Sequence, residues 1–322
     1  MLRNDLGHKT QFGVDAQSAA DLCLVLGGSS RLAGMVYRGV RADDRTPSPM
    51  AENFIWQRRA PDAAMPEAVL FDPLAVADDP QATAGVLRVA VEDGARKIGT
   101  VICFAGVIGA DAAALAVNTD LAIATLKIAR TLGARRVVLC SSAAVYGAQS
   151  GPMAESAPLA PMAPYGHAKA RMEYEAQAWR DAHAPQVELC ILRIGNVAGA
   201  DALLGGAASG GPVTLDVFAD GHGPRRSYIG PKCFAGAIAR LVQLASVPPV
   251  LNLCRQGPVA MDDLLDAAGI GFARRAAGSN AIACVELDCT LCVALGLVPA
   301  QPACAHDLVA QMRADGRAQE EI

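Results

Sequence analysis

The chain has 322 residues, of which 52% are hydrophobic and 19% are charged, so it can bury a sizeable core and is too apolar to be disordered. Its formal net charge is −4, which argues against a nucleic-acid partner, because neutralising phosphates needs clustered Lys and Arg. There is no charge-free run of about 18 apolar residues and no signal-peptide core at the N-terminus, so we expect no membrane partner and a cytoplasmic protein.

Seven short apolar runs alternate with longer segments along the chain. The predicted strands are residues 22–26, 53–57, 68–71, 100–105, 136–141, 187–194 and 249–254. Two segments between them have helical spacing: residues 111–134, with Gly133 at the position of a C-cap, and a segment that begins just after Pro164. Strands that alternate with helices are typical of β-α-β units. The sequence therefore predicts an α/β protein with a Rossmann-like, doubly wound parallel sheet of about seven strands.

The composition changes near residue 200, which indicates a second, smaller lobe. Residues 199–227 are rich in Gly and Ala, and residues 256–322 contain patterns of short helices, so both segments are assigned to this C-terminal lobe. Residues 21–198 are predicted to form the Rossmann domain, and residues 228–255 are predicted to return to its sheet. Residues 1–20 are predicted to be an N-terminal extension.

The stretch VLGGSSRLAG, residues 25–34, follows the first predicted strand, where such sheets bind the pyrophosphate of a dinucleotide. The template G-x-x-G-x-x-G fits it in two registers, which begin at Gly27 or at Gly28. We favour the first, because it keeps a small residue at each crowded position, including Ser30 and Ala33. The predicted cofactor contacts in this loop are Gly27, Ser30, Arg31 and Leu32.

Three downstream stretches, CSSAAVYG, PYGHAK and LRIGNVAG, carry residues suited to redox chemistry at an alcohol. Tyr165 and Lys169 are four residues apart and so share one face of a helix, where the ammonium could lower the pKa of the phenol from about 10. Ser142 ends a parallel strand, and its hydroxyl could bond the same substrate oxygen. Together the three residues predict proton transfer beside a nicotinamide. Each residue alone could equally belong to a solvated helix face or a turn.

Arginines at the end of the second predicted strand bear on the choice of cofactor. An acidic residue there bonds the ribose of NAD, whereas arginine accommodates the 2′-phosphate of NADP. Arg58 and Arg59 therefore favour NADP, with NAD possible; the alternative is that both are simply solvated. Ala105 and Gly106, at the end of the fourth predicted strand, are also predicted to contact the cofactor.

Ten cysteines are dispersed along the chain, several of them within apolar runs. This placement predicts reduced thiols that pack as small hydrophobic groups. Cys289 and Cys292 form one CxxC motif, but no second pair and no nearby His complete four ligands. We therefore predict a packed helix face there and no metal site.

In their order and spacing, SSAAVYG, PYGHAK and LRIGNVAG resemble motifs of the extended short-chain dehydrogenase/reductases, specifically the NAD-dependent epimerase/dehydratase family, which includes nucleotide-sugar epimerases. The resemblance extends over residues 21–260. It implies an NAD(P)-dependent enzyme that transfers a hydride at a secondary alcohol or ketone of a sugar-like, nucleotide-linked small molecule. By position, it implies that Ser142 orients the substrate oxygen, Tyr165 is the acid/base and Lys169 binds the nicotinamide ribose.

The resemblance also implies contacts outside this group. Asn196 would lie beside the substrate, Arg226 would contact a substrate phosphate, and Asp72 would lie near the adenine, although Asp before Pro is also a common turn former. The dehydratases carry an Asp-Glu pair where this chain has Ala143 and Ala144, so a 4,6-dehydratase is not expected. The histidine and acid that epimerases usually carry after RSYI are missing, which leaves the substrate open.

Two further functions remain open: an NADPH-dependent ketone or aldehyde reductase, and a non-catalytic NAD(P)-sensing protein. The joint presence of the serine, tyrosine and lysine argues against the sensor, which would not need all three. The resemblance also implies a homodimer formed through LAIATLKIAR and MEYEAQAW, although these apolar positions could equally face the sheet. The smaller lobe is expected to bind the substrate.

Overall fold

The computed structural model describes residues 21–41, 51–90, 96–109, 111–207 and 212–316. The predicted N-terminal extension, residues 1–20, lies outside the described residues.

The centre of the molecule is a parallel sheet of seven strands. These are β1 (Leu22–Leu26), β2 (Phe54–Arg58), β3 (Val69–Leu70), β4 (Ile98–Cys103), β5 (Arg136–Ser142), β6 (Glu188–Ile194) and β10 (Val250–Leu253). Their order in the sheet is β10-β6-β5-β4-β1-β2-β3. Every residue of β1 and β4 is buried, as expected for strands covered on both faces. The predicted Rossmann-like sheet is confirmed, and all seven predicted strands belong to it.

The strand order reverses once. From β1 the chain builds outward through β2 to β3, and then crosses back to β4, which pairs with the other side of β1. From β4 it continues through β5 and β6 to β10. Open α/β sheets bind ligands beyond the carboxyl ends of the strands at such a reversal, and Gly27, Ala105 and Ser142, at the ends of β1, β4 and β5, lie at this edge.

Helices cover both faces of the sheet. They are α1 (Arg31–Arg41), α2 (Pro73–Val76), α3 (Pro80–Ala90), α4 (Ala112–Leu132), α5 (Pro164–His183), α6 (Leu204–Ala207), α7 (Pro231–Leu241), α8 (Met261–Ala268), α9 (Thr290–Ala294) and α10 (Ala305–Ala314). Helices α4 and α5 pack on one face, and α1 and α7 pack on the other. Both predicted helices are present as α4 and α5. Helix α4 ends at Gly133, whose φ of 65° is that of a left-handed cap.

Helix α4 is long and apolar enough to cross a membrane by length and composition alone, but half of it is buried within the chain. Its residues Leu121, Leu126 and Ile128 lie in the apolar core on that face of the sheet. Most apolar side chains of residues 121–130 are thus buried within this chain. On α5, by contrast, Tyr174 is 72% exposed. Dimerisation through these two helices stays a prediction.

Short strands outside the central sheet join the segment after β6 to the C-terminal part of the chain. They are β7 (Asn196–Val197), β8 (Val213–Val217), β9 (Arg225–Ile229), β11 (Pro258–Ala260), β12 (Phe272–Ala276) and β13 (Cys284–Val285). Strand β9 pairs with β7, β11 and β13, and β8 pairs with β12. Leu215, Tyr228, Leu264 and Leu308 belong to a third apolar cluster in this region. The sequence analysis missed these strands, because they are short and some, such as β12, are largely exposed.

The left-handed cap of α4 yields a test of local backbone strain. A Cβ added at Gly133 would meet no atom within 4 Å, so Gly133→Ala should lower the free energy of unfolding by about 1 kcal/mol through strain alone. Gly236 in α7 is exposed and equally open, but it lies inside a helix. Gly236→Ala should therefore raise the free energy of unfolding by roughly 0.5–1 kcal/mol. Urea denaturation measures both values, and changes of the same sign would contradict the assigned cap.

Candidate active site

The loop after β1 turns sharply at the carboxyl edge of the sheet. Gly27 has a φ of 84°, and a Cβ built on it would lie 2.3 Å from the backbone nitrogen of Ala105, which follows β4. A side chain cannot occupy that space. Ser30 then caps α1 with its side-chain oxygen. The N–H groups of Arg31 and Leu32 lie in the first helical turn, so they have no intrahelical acceptor and are available to an anion.

This geometry agrees with the template register that begins at Gly27. Gly27 has the left-handed backbone, and Ala33 is fully buried, so both positions require a small residue. A Cβ at Gly28 would lie 2.8 Å from the carbonyl oxygen of Gln57 in β2. The Gln57 side chain accepts a hydrogen bond from the Gly27 N–H at 2.8 Å and donates to the carbonyl of Phe71. The sequence analysis missed Gln57, although a glutamine inside an apolar strand is a visible signal.

Ser142, Tyr165 and Lys169 come together where β5 meets α5. Ser142 is the last residue of β5, and the other two lie in the first turns of α5. The Ser142 side chain lies within range of the Tyr165 hydroxyl, whose pKa it lowers, and the Lys169 nitrogen lies 5.9 Å from the centre of the Tyr165 ring. The ammonium donates to the carbonyl oxygen of Cys140 at 2.8 Å. The three residues therefore form one group, while their catalytic roles stay predictions.

Burial dominates the acid–base properties of this group. It raises the pKa of Tyr165 to about 12; the charge of Cys140 adds to the rise, and the hydrogen bond to Ser142 opposes it. Burial also lowers the pKa of Lys169. The expectation that Lys169 brings the phenol pKa toward neutrality is wrong for this structure, because desolvation prevails and the ammonium is bonded to a backbone carbonyl. At neutral pH Tyr165 is a protonated phenol.

The loop after β4 lies against Lys169. A Cβ at Gly106 would lie 2.9 Å from Oδ1 of Asn118 and 3.7 Å from Nζ of Lys169. Asn118 in α4 fixes this loop, because its side chain bonds both the N–H and the carbonyl oxygen of Val107 at 3.1 Å. The sequence analysis missed Asn118, which is a buried amide in an apolar helix. Since Ala105 also touches Gly27, this loop links the glycine turn to Lys169.

The arginines predicted to select NADP lie at the end of β2. The Arg58 guanidinium forms an ion pair with Asp62 at 2.6 Å, and a Cβ at Gly28 would lie 3.2 Å from the Arg58 side chain. Arg58 therefore stands beside the glycine turn, but it already has an acidic partner. Arg59 is exposed. Asp72 caps α2 by accepting a backbone N–H at 2.9 Å, as a turn former does, and its predicted contact with adenine stays a prediction.

Asn196 and Arg226 lie on the neighbouring strands β7 and β9. Asn196 is paired with Tyr228 across the two strands, while the Tyr228 hydroxyl donates to Asp201 at 3.0 Å. Arg226 lies two residues before Tyr228 and so on the same face of β9. Its guanidinium donates to backbone carbonyls, including that of Ile282 at 2.9 Å, and burial lowers its pKa. Within the described part of the chain Arg226 has no acidic partner, so it can receive an anionic ligand.

A buried ion pair lies one helical turn beyond Lys169. Glu173 is 2% exposed, pairs with Arg193 of β6 at 2.7 Å and accepts a hydrogen bond from Ser141 at 2.5 Å. Arg193 also donates to the hydroxyl of Tyr146 at 2.9 Å, and that hydroxyl donates to Asn252 at 2.8 Å. This network joins α5 to β5, β6 and β10. The sequence analysis did not identify it, although an arginine inside an apolar strand requires a buried partner.

The ten cysteines are free thiols. Cys289 and Cys292 are 1% and 0% exposed and pack in the apolar core. Within the described ranges, no three His, Cys, Asp or Glu side chains are arranged to hold a metal ion.

The sheet topology, the turn at Gly27 and the group formed by Ser142, Tyr165 and Lys169 agree with the fold that the motif resemblance implies. Residues 90–209 match the model of the NAD dependent epimerase/dehydratase family, which identifies this segment as an NAD dependent epimerase/dehydratase domain. The resemblance inferred from the motifs is thereby confirmed for this segment.

Known proteins support the same assignment. The chain is 44% identical over 86 residues to the UDP-glucose 4-epimerase of Azospirillum brasilense; the alignment covers 26% of this chain and 24% of that relative, about a quarter of its length. A UDP-glucose 4-epimerase structure from Stenotrophomonas maltophila with bound NAD has a TM-score of 0.69 and 20% identity, over 93% of this chain and 99% of that chain. The structure of the dTDP-glucose 4,6-dehydratase of Streptomyces venezuelae has a TM-score of 0.68 and 22% identity, over 90% of this chain and 95% of that chain. At these identities the two solved structures share the fold.

The protonation state of Tyr165 can be measured directly. A phenol with a pKa of about 12 contributes no phenolate below about pH 10, so ultraviolet titrations of the wild type and of Tyr165→Phe should coincide over that range. Circular dichroism at each pH controls for unfolding. A phenolate step near neutral pH that disappears in Tyr165→Phe would contradict the dominance of burial.

Proposed function

We propose that the protein is an NAD(P)-dependent epimerase or oxidoreductase that transfers a hydride at a secondary alcohol or ketone of a sugar-like, nucleotide-linked substrate. The observation that carries this proposal is the grouping of Ser142, Tyr165 and Lys169 where the end of β5 meets the first turns of α5, at the carboxyl edge of the sheet. The family match supports it, because residues 90–209 contain all three.

The residues at this edge fit a dinucleotide. Ala105 occupies the space that a Cβ at Gly27 would need, so the turn has no side chain at that position. The first N–H groups of α1 would hold the pyrophosphate. Lys169, which lies beside Gly106, would hold the nicotinamide ribose. When bound, the nicotinamide supplies the hydride donor or acceptor.

The protein's own contribution is the control of one proton. Tyr165 is protonated at neutral pH, so its hydroxyl can donate to a carbonyl oxygen as that oxygen gains charge, and the Ser142 hydroxyl can hold the same oxygen. In the reverse direction Tyr165 must release its own proton before it can accept one. The Ser142 side chain then favours the phenolate, because it lowers the pKa of Tyr165.

The substrate side of the site supports an anionic, nucleotide-linked molecule. Arg226 is half-buried and bonded to carbonyls rather than to an acid, and Asn196 extends from the strand beside β9. The relatives named above are UDP-glucose and dTDP-glucose enzymes. Ala143 and Ala144 follow Ser142 directly and offer no acid or base, so we propose epimerisation or reduction rather than dehydration.

Catalysis by Tyr165 predicts a specific loss. Tyr165→Phe should lower kcat by roughly 10²- to 10⁴-fold, because it removes the general acid–base group, and should leave the Kd of the nicotinamide cofactor unchanged. Steady-state kinetics and cofactor titration measure the two effects. Tyr174→Phe is the matched control, since Tyr174 lies on the same helix but is 72% exposed. Undiminished turnover in Tyr165→Phe would exclude Tyr165 as the acid–base group, whereas cofactor binding without any turnover in the wild type would favour the sensor.

A reductase is the second candidate, favoured by the protonated Tyr165 and by the arginines at the end of β2. An epimerase restores its cofactor within each turnover, whereas a reductase consumes it. Retention of bound cofactor after dialysis, together with interconversion of two UDP-sugars, would support the epimerase. Stoichiometric consumption of NADPH by a ketone would support the reductase.

The cofactor preference can be tested at the end of β2. We propose that NADP is preferred because Arg58 lies beside the glycine turn, although the Asp62 ion pair and the NAD of the related structure favour NAD. If Arg58 contacts the 2′-phosphate, Arg58→Ala should weaken NADP binding by about 10- to 100-fold and leave NAD binding unchanged. Asp62→Asn should tighten NADP binding. Calorimetric titration of the wild type and of both variants measures the affinities for NAD and NADP. Equal losses of NAD and NADP affinity in Arg58→Ala would exclude a contact between Arg58 and the 2′-phosphate.

A further inference from the structure

We propose that Glu173 is a positioning residue for Tyr165 and Lys169: its buried carboxylate fixes α5 against the ends of β5 and β6 and places a negative charge one helical turn from Lys169. The inference rests on the proposed function, since the position of α5 matters to turnover only if this pair is used in catalysis.

The three side chains lie along one stripe of α5. Tyr165, Lys169 and Glu173 follow one another at intervals of four residues, a spacing that places successive side chains next to each other on a helix. Lys169 is 6% exposed and Glu173 is 2% exposed, so both face the sheet. A displacement of Glu173 would therefore move the whole stripe.

The Glu173 carboxylate holds two strands at once. It accepts a hydrogen bond from the hydroxyl of Ser141 at 2.5 Å, and Ser141 immediately precedes Ser142 at the end of β5. It also receives three hydrogen bonds from the Arg193 guanidinium of β6, the shortest at 2.7 Å. The same side chain therefore sets the distance between the helix that carries Tyr165 and the strand that carries Ser142.

Glu173 is also the anion that acts on Lys169. The titratable groups around the ammonium are Tyr165 and Glu173 on its own helix, Cys140 on β5 and Cys103 on β4. Burial lowers the pKa of Lys169, and the charges of Cys140, Cys103 and Glu173 raise it. Burial raises the pKa of both thiols, so they are uncharged at neutral pH. The carboxylate of Glu173 is then the charge in this set that opposes the loss of the Lys169 proton.

Neutralising Glu173 should therefore have two separable effects. It removes a negative charge near Lys169, which lowers the pH at which the ammonium deprotonates. It also replaces the ionic contact with Arg193 by a neutral one, which loosens α5. Ser141→Ala removes one attachment of the helix and keeps the charge, so it separates the two effects.

The experiment observes Lys169 without requiring turnover. The full chain has five lysines, and ¹³C labelling of their Cε atoms gives signals whose shifts follow the protonation of each ammonium. Lys169→Arg assigns the signal of Lys169. Glu188→Gln is the matched control for Glu173→Gln. Glu188 of β6 pairs with the buried Arg136 of β5 at 2.8 Å, and this pair lies at the ends of β5 and β6 that are far from Ser142.

We expect the titration midpoint of Lys169 to fall in Glu173→Gln and to stay at the wild-type pH in Glu188→Gln and Ser141→Ala. In kinetic assays, Glu173→Gln should lower kcat by at least about tenfold, because Tyr165 and Lys169 are displaced, and it should move the basic limb of the pH profile to lower pH, because Lys169 loses its proton earlier. Ser141→Ala should lower kcat without moving that limb. Glu188→Gln should change neither.

An unchanged Lys169 midpoint in Glu173→Gln, or an equal fall in Glu188→Gln, would overturn the inference. If Glu173→Gln does not fold, the double variant Glu173→Gln/Arg193→Gln removes both charges of the buried pair. Arg193 is not among the charges that act on Lys169, so the titration midpoint of Lys169 should also fall in the double variant. If the wild type shows no turnover, the proposed function is refuted. The electrostatic role of Glu173 would still stand if the titration midpoint of Lys169 falls in Glu173→Gln.

Discussion

Removing the charges of Glu173 and Arg193 from water costs several kcal/mol for each ion, and a buried pair persists only when its hydrogen bonds are satisfied. Here Arg193 is also bonded to the Tyr146 hydroxyl and to the carbonyl of Glu155, and Glu173 is also bonded to Ser141. The pair thus has directional partners on several elements. The network adds directional bonds to the apolar packing of α5 on the sheet, and the separation of Tyr165 from Ser142 depends on the position of that helix.

A second constraint acts at the reversal of strand order. The glycine turn, the loop after β4 and the end of β2 converge there with almost no free space: Gly27 meets Ala105, and Gly28 meets the backbone of Gln57. Asn118 then fixes the loop after β4 from the opposite side. Because backbone atoms fill these positions, the chain itself determines the shape of this edge. Preorganisation of this kind lowers the cost of ordering on binding.

The sequence was most informative where one local pattern determines the outcome. The seven strands of the sheet followed from continuous apolar runs, and the end of α4 followed from Gly133. It was least informative where the outcome depends on residues far apart in the chain. The pairing of Glu173 with Arg193 and the ion pair of Arg58 with Asp62 become visible only once the sheet is assembled. The pKa of Tyr165 was misjudged for the same reason, because helical spacing indicates a nearby charge but not the extent of burial.

The absence of carboxylates after Ser142 limits the chemistry that this edge can perform. Elimination of water needs an acid and a base in addition to the hydride acceptor, whereas reduction of a ketone needs one proton donor. The groups that act on Tyr165 are Cys140, a thiol whose pKa is raised by burial, and the hydroxyl of Ser142, so neither supplies a second acid or base at neutral pH. A site with one mobile proton suits reversible hydride transfer at a single carbon. Epimerases and dehydratases share this fold, so the fold does not distinguish between their reactions. The supply of a single mobile proton is what favours epimerisation or reduction here.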